Sequence, residues 1–131
     1  MSMIKTAIAM TAVVLSVGPC YSQSRPISSA EKTLIVTTYG SRLKDAGSAQ
    51  YRMQPIPLAD NQKGGKTIYC FQVNARNSYG GYTGYKTVIG RVSRTSGKVT
   101  SYAYDGSSDD DTRSLPGATA DMCRAFGYSL P

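Results

Sequence analysis

The chain has 131 residues, with 15 Lys and Arg against 8 Asp and Glu, no His and a formal net charge of +7. This length allows one small domain. The absence of His excludes Ser-His-Asp and Cys-His catalysis and any zinc site with a His ligand. The one long apolar run is at the N-terminus, which excludes a membrane protein with several spans.

Residues 1–22 are typical of a secretory signal peptide. A lone lysine precedes an apolar stretch, residues 7–17, that has the length of a signal h-region. Cys20 and Ser22 place small residues at the −3 and −1 positions of a cleavage site. We therefore expect export to the periplasm or the extracellular space, and a mature domain that spans residues 23–131.

The same segment allows two alternatives, a lipid attached to Cys20 or an uncleaved anchor. A lipoprotein signal usually has a small residue before the cysteine, and Pro19 occupies that position, which favours cleavage. In all three cases any contact with a membrane is expected through this segment alone. Its removal, with one lysine and no acid, leaves 14 basic and 8 acidic residues and a net charge of +6.

The cysteines predict one disulfide bond. Export leads to an oxidising compartment, where disulfides persist, and cleavage leaves Cys70 and Cys123 as the one possible pair. The bond would stabilise the fold by roughly 4 kcal/mol in the chain-entropy model. The alternative is two buried free thiols, and the lack of a Cys-x-x-Cys motif argues against a redox site.

After a short polar linker, the first predicted element is a helix. Ser28 followed by Glu31 fits a capping box at its start. Apolar residues then recur at helical spacing as far as Ala46, and Gly47 can end the helix in a left-handed cap. Within it, Thr37, Thr38 and Gly40 weaken the helical pattern.

Extended segments follow the helix. Residues 51–58 contain two prolines, which confine them to an edge strand or an extended loop, and residues 60–65 form a turn. Residues 67–75 make the strongest strand prediction. Alternation places Tyr69, Phe71, Val73 and Ala75 on one face and Ile68, Cys70, Gln72 and Asn74 on the other.

The C-terminal half continues with two more strands and a helix. Strands are predicted over residues 85–93 and 98–104, with a hairpin turn at residues 95–97. An acidic loop follows at 105–117, and a short helix at 119–126 carries Cys123. The element order predicts an α+β fold with an N-terminal helix packed on a three- to four-stranded antiparallel sheet. The disulfide would tie the C-terminal helix to the central strand.

The most distinctive segment, which we call the Tyr/Gly loop, is residues 74–86. It contains three Tyr, three Gly and two Asn. Tyr offers a large amphipathic contact area, and Gly lets another backbone approach closely. The loop is therefore a candidate contact surface; the alternative is that its tyrosines cover the domain's own sheet. The candidate binding residues are Asn74, Arg76, Asn77, Tyr79, Gly80, Gly81, Tyr82, Tyr85 and Lys86.

Two segments carry a resemblance to a known family. Residues 73–84, Val-Asn-Ala-Arg-Asn-Ser-Tyr-Gly-Gly-Tyr-Thr-Gly, resemble the VNAxNSYGGYTG signature of a family of small exported bacterial proteins with no assigned activity. Residues 43–52 resemble the same family's Lys-Asp-Pro-x-Ser-Ala-x-Phe-Arg element, with Ala46 in place of Pro and Tyr51 in place of Phe. The resemblance implies export and a single small domain, and it implies no catalytic residue.

Other patterns indicate weaker candidates. A basic cluster with tyrosines could neutralise phosphates and stack bases, but no nucleic-acid motif is present and export disfavours that partner. Anionic envelope polymers fit an exported basic protein better. Ser41 and Lys44 match a Ser-x-x-Lys pair by chance, and Asp109–Asp111 read as a solvated acidic turn. The basic cluster consists of Arg91, Arg94, Lys98, Tyr102 and Tyr104.

These observations favour an exported, non-enzymatic binding module of the bacterial cell envelope. Its partner would be an envelope protein or a glycan, contacted through the Tyr/Gly loop. The alternatives are a polyanion or cell-wall binding protein that acts through its basic charge, and a small cell-wall hydrolase that uses Ser, Tyr or Asp. No metal or other cofactor is expected.

Overall fold

The computed structural model describes residues 23–58, 62, 63, 65–111 and 114–130, together with Val13. The signal peptide expected at residues 1–22 lies outside the described residues, apart from Val13. None of the helices in these ranges has the length and apolar character needed to cross a membrane.

The first helix, α1 (Ser29–Gly40), begins at the predicted capping box. The Glu31 amide donates to Ser28 Oγ at 3.2 Å, and the Ser28 amide donates to the Glu31 carboxylate at 3.1 Å. The prediction that α1 continues to residue 46 is wrong. Gly40 and the β-branched residues Thr37 and Thr38 have low helix propensity. Beyond Gly40 the chain forms tight turns, including a 3₁₀ turn at Ala46–Ser48.

The strands form two antiparallel sheets. In chain order the strands are β1 (Ser24–Arg25), β2 (Gln50–Met53), β3 (Ile56–Pro57), β4 (Gln62–Lys63), β5 (Lys66–Asn74), β6 (Lys86–Thr95) and β7 (Lys98–Ser107). In the main sheet the order is β2-β5-β6-β7, with β4 beside the start of β5. The small sheet pairs β1 with β3, so the segment predicted as a polar linker is held by backbone hydrogen bonds.

Strand β7 is longer than the sequence predicted. Residues 105–107 were expected in an acidic loop but continue the strand, with Gly106 opposite Ile89 and Ser107 opposite Val88. Asp105 also pairs with Arg91 on the neighbouring strand through two hydrogen bonds of 2.9 Å. An opposite-charge pair across strands stabilises the ladder at this position. The hairpin turn between β6 and β7 lies where it was predicted, with Ser96 and Gly97 both at positive φ.

The two faces of β5 are covered by different helices, and Phe71 and Cys70 lie on opposite faces as the alternation predicted. Tyr39 of α1 packs edge-to-face on Phe71, with ring centroids 5.4 Å apart. On the opposite face Cys70 forms a disulfide with Cys123 of α2 (Ala118–Ala125), which confirms the predicted pairing. The α+β prediction is confirmed, and the sheet lies between two helices that are fixed by packing on one side and by a covalent bond on the other.

The centre of the sheet depends on one close approach, at Gly90 of β6. The Tyr102 ring lies directly over this residue, and a Cβ placed there would be 2.4 Å from the Tyr102 hydroxyl oxygen. A side chain at residue 90 would therefore have to displace a tyrosine that is itself only 6% exposed.

We expect Gly90→Ala to lower the free energy of unfolding by about 1–3 kcal/mol, the usual effect of overpacking a core. Urea unfolding of the oxidised protein measures it. Gly106→Ala on β7 is the matched control, since its added Cβ would meet its nearest neighbour at an ordinary 3.9 Å. Equal stability of the two variants would contradict the prediction.

Candidate functional site

The Tyr/Gly loop joins β5 to β6 and is closed by its own hydrogen bonds. Arg76 and Tyr82 form a bridge across its base. At the tip the Asn77 side-chain oxygen accepts from the amides of Tyr79, at 2.9 Å, and Gly81, at 3.2 Å. Gly80 has a φ of +80°, which favours glycine there. These contacts give the tip a defined shape.

A second set of contacts fastens the loop to the 43–52 segment. The Arg76 amide donates to Ser48 Oγ at 3.2 Å, and the Tyr82 hydroxyl donates to the Ser48 carbonyl at 2.9 Å. Lys44 Nζ donates to Ser78 Oγ at 2.6 Å. The two segments that carry the family resemblance therefore contact each other, although they are separate in the sequence.

The three loop tyrosines have different surroundings. Tyr79 is 96% exposed, so it does not cover the sheet. Tyr82 is 43% exposed and held by its hydroxyl. The Tyr85 ring lies under the guanidinium of Arg52, with the guanidinium carbon 3.6 Å from the ring centroid, a cation–π contact. The structure thus leaves one tyrosine free at the tip and braces the other two.

The ends of the loop are occupied by structural contacts. The Asn74 side-chain oxygen accepts from the Gly84 amide at 3.2 Å, so it shapes the loop. Lys86 pairs with Asp109 at 2.7 Å. Burial lowers the pKa of Lys86, but the hydrogen bond to Asp109 and the charge interactions with Asp109 and nearby tyrosines together outweigh this effect and raise the pKa above its ordinary value. Lys86 therefore stays charged and paired, and it does not join the exposed tip.

Between the loop and the 43–52 segment lies a hollow of about 460 Å³, which we call the polar depression. The described residues provide no ion-pair partner for either the Asp45 carboxylate or the Arg76 guanidinium. The guanidinium carbon of Arg76 is 5.4 Å from the Tyr82 ring centroid. The depression is lined by Asp45, Gly47, Ser48, Ala49, Gln50, Arg76 and Tyr82.

Sequence reasoning missed most of this lining. Arg76 and Tyr82 were candidate binding residues, whereas Asp45, Ser48 and Gln50 were not singled out for binding. The one signal that could have identified them is the family resemblance of the 43–52 segment, which placed them in a motif but gave them no role.

The basic cluster on β6 and β7 does not form the predicted stacking face. Tyr102 and Tyr104 do lie on the same face, but it is the face covered by α1, and Tyr102 is buried in the core. Arg91 pairs with Asp105, and Arg94 pairs with Glu31. The alternation that aligned these residues also turned the tyrosines inward, because this face carries the core.

The remaining chemical motifs are explained by structural hydrogen bonds. Ser41 Oγ donates to the Thr38 carbonyl at 2.7 Å and has no contact with Lys44 in the described residues. Asp110 accepts from the Tyr104 hydroxyl at 2.6 Å, and this hydrogen bond lowers the pKa of the Asp110 carboxyl. Asp111 accepts from Thr119 at the start of α2. Within the described ranges, no group of three His, Cys, Asp or Glu is placed to hold a metal ion.

Comparisons with protein-family models, with curated proteins and with solved structures gave no match to this chain. The family resemblance of residues 43–52 and 73–84 therefore stays a prediction.

Proposed function

We propose that this protein is an exported, non-enzymatic binding module of the bacterial cell envelope, with the Tyr/Gly loop as its contact surface. The observation that carries the proposal is Tyr79, whose side chain is 96% exposed at the tip of an otherwise braced loop. A tyrosine offers a large contact area and has few rotatable bonds, so its immobilisation on binding costs little entropy. An aromatic side chain in this position is typical of a binding residue.

The bracing of the loop supports the same proposal. Asn77 closes the tip, and Ser48 holds the base through Arg76 and Tyr82. A loop that is ordered before it meets a partner loses less conformational entropy on binding. Gly80 and Gly81 beside Tyr79 leave room for a partner's backbone to come close.

Export is the second part of the proposal. Cys70 and Cys123 are bonded in the fold, and disulfides of this kind persist in the periplasm and outside the cell. The signal-peptide pattern of residues 1–22 agrees with that compartment. We infer that the leader directs secretion and that the bond forms afterwards.

Chemical crosslinking in intact envelopes tests the contact surface. We expect Tyr79→Ala to reduce the affinity for the crosslinked partner about 30-fold, which corresponds to a hot-spot side chain worth about 2 kcal/mol. Leu115→Ala is the matched control, because Leu115 is also strongly exposed, at 65%, and lies outside the loop. Both variants should unfold at the same urea concentration as the unaltered protein.

Two results would contradict the proposal. Equal recovery of the partner by Tyr79→Ala and by the control would remove the loop as the contact surface. Binding that does not depend on Tyr79 and falls steeply between low and moderate salt would instead indicate a polyanion binder that acts through net charge.

A further inference from the structure

We propose that the polar depression binds a saccharide that carries a carboxylate, of the acidic amino-sugar class. This inference rests on the proposed envelope-binding function and names a ligand class for it. The binding groups would be the Arg76 guanidinium, the Asp45 carboxylate, the Gln50 amide and the Tyr82 ring.

The size and character of the depression select a small polar ligand. Its volume of about 460 Å³ lies in the range of about 300–1,000 Å³ that small-molecule sites occupy. Carboxylate, guanidinium and amide groups line it, and these groups hydrogen-bond to hydroxyl and amide groups of a ligand. An apolar ligand would leave them without partners, which is unfavourable.

The two unpaired charges determine which polar ligand fits. Arg76 presents a planar set of donors that matches a carboxylate in a bidentate arrangement. Its guanidinium has no ion-pair partner in the described part of the chain. Lys44, which precedes Asp45 in the chain and hydrogen-bonds to Ser78 of the loop, adds a second positive charge to the same two segments. The Asp45 carboxylate accepts hydrogen bonds and therefore suits ligand hydroxyl or amide groups.

Tyr82 would offer a sugar ring the face that its contact with the Arg76 guanidinium leaves open. Its hydroxyl is fixed on the Ser48 carbonyl, so the ring has a set orientation, and 43% of the residue stays exposed. The electron-rich face of an aromatic ring attracts the positively polarised hydrogens of a C–H face. A pyranose presents such a face, with hydroxyl groups around its edge.

Ser48 acts as a positioning residue for this site. Its hydroxyl accepts from the Arg76 amide and donates to the Asp45 carbonyl at 2.8 Å, while its own carbonyl holds Tyr82. One residue thus orients the backbone of both charged groups and the aromatic ring. This arrangement places the lining groups before any ligand arrives.

A titration with two sugars tests the inference. The exported, disulfide-bonded protein, labelled with ¹⁵N, is titrated with N-acetylmuramic acid and, separately, with N-acetylglucosamine, which lacks the carboxylate. We expect amide shifts at residues 45–50 and 76–82 and an affinity about tenfold higher for the acidic sugar, the size of one charge-assisted hydrogen bond. Arg76→Gln should abolish that preference, and Arg124→Gln, an exposed arginine on α2, should keep it.

Three outcomes would overturn the inference: no amide shifts with either sugar, equal affinity for both sugars, or a preference that survives in Arg76→Gln. Asp45→Asn is a second variant, which removes a negative charge beside the ligand and should therefore weaken the neutral sugar more than the acidic one. If sugar binding fails while partner capture still depends on Tyr79, the inference is wrong and the proposed function stands. If capture is also independent of Tyr79, both are wrong.

Discussion

Replacing Cys70 and Cys123 together by alanine is expected to lower the free energy of unfolding by about 4 kcal/mol. The bond joins residues 53 positions apart, so it lowers the conformational entropy of the unfolded chain by closing a long loop. Both cysteines are fully buried between β5 and α2, and truncating them leaves a small cavity as well. Small domains have a total stability of about 5–15 kcal/mol, so this one bond provides a large share.

Urea unfolding of the oxidised protein and of the double alanine variant measures the effect. A reductant should shift the midpoint of the unaltered protein toward that of the variant. The same reductant should leave the variant unchanged, which makes the variant its own control. Equal midpoints for the oxidised protein and the variant would show that packing alone holds α2 on the sheet.

The parts of the fold that sequence could predict depend on neighbours in the chain. The capping box needs Ser28 and Glu31, three residues apart, and the structure contains it. Strict alternation predicts which side chains of β5 lie on each face of the sheet. Consecutive buried residues along the strand show that both faces are covered, in agreement with that prediction. The disulfide pairing needed only the removal of Cys20, after which Cys70 and Cys123 had one possible partner each.

The parts that sequence could not predict depend on contacts between distant residues. The polar depression forms because Tyr82 hydrogen-bonds to Ser48, 34 residues earlier. Glu31 meets Arg94 across 63 residues, so a residue expected only to cap a helix is also the centre of a buried ion-pair cluster. The predicted end of α1 was wrong for a related reason. Residues 43 and 46 have helical spacing with the helix, but the chain turns after Gly40 toward β2.

That cluster leads to the second large effect, which depends on pH. The Glu31 carboxylate is 1% exposed and accepts two hydrogen bonds from Arg25, at 2.7 and 3.0 Å, besides its pair with Arg94. Burial raises the pKa of Glu31, but the hydrogen bonds from Arg25 and Ser28 outweigh it and lower the pKa from 4.5 to about 2. Because the folded pKa is the lower one, ionised Glu31 stabilises the fold above pH 4.5, and this stabilisation is lost as the pH falls toward 2.

We expect Glu31→Gln to lower the free energy of unfolding by about 3–5 kcal/mol near neutral pH, since it leaves two partly buried arginines without their carboxylate. About 3 kcal/mol of this loss depends on pH. The difference in the free energy of unfolding between the unaltered protein and the variant should therefore shrink as the pH falls toward about 2. Urea unfolding across this pH range measures it, and comparison with the variant cancels the titration of the other acids. Asp121→Asn, which breaks an exposed pair with Arg124, should change stability by less than about 1 kcal/mol. A difference that stays constant from neutral to acid pH would mean that Glu31 acts through its shape and hydrogen bonds and not through its charge.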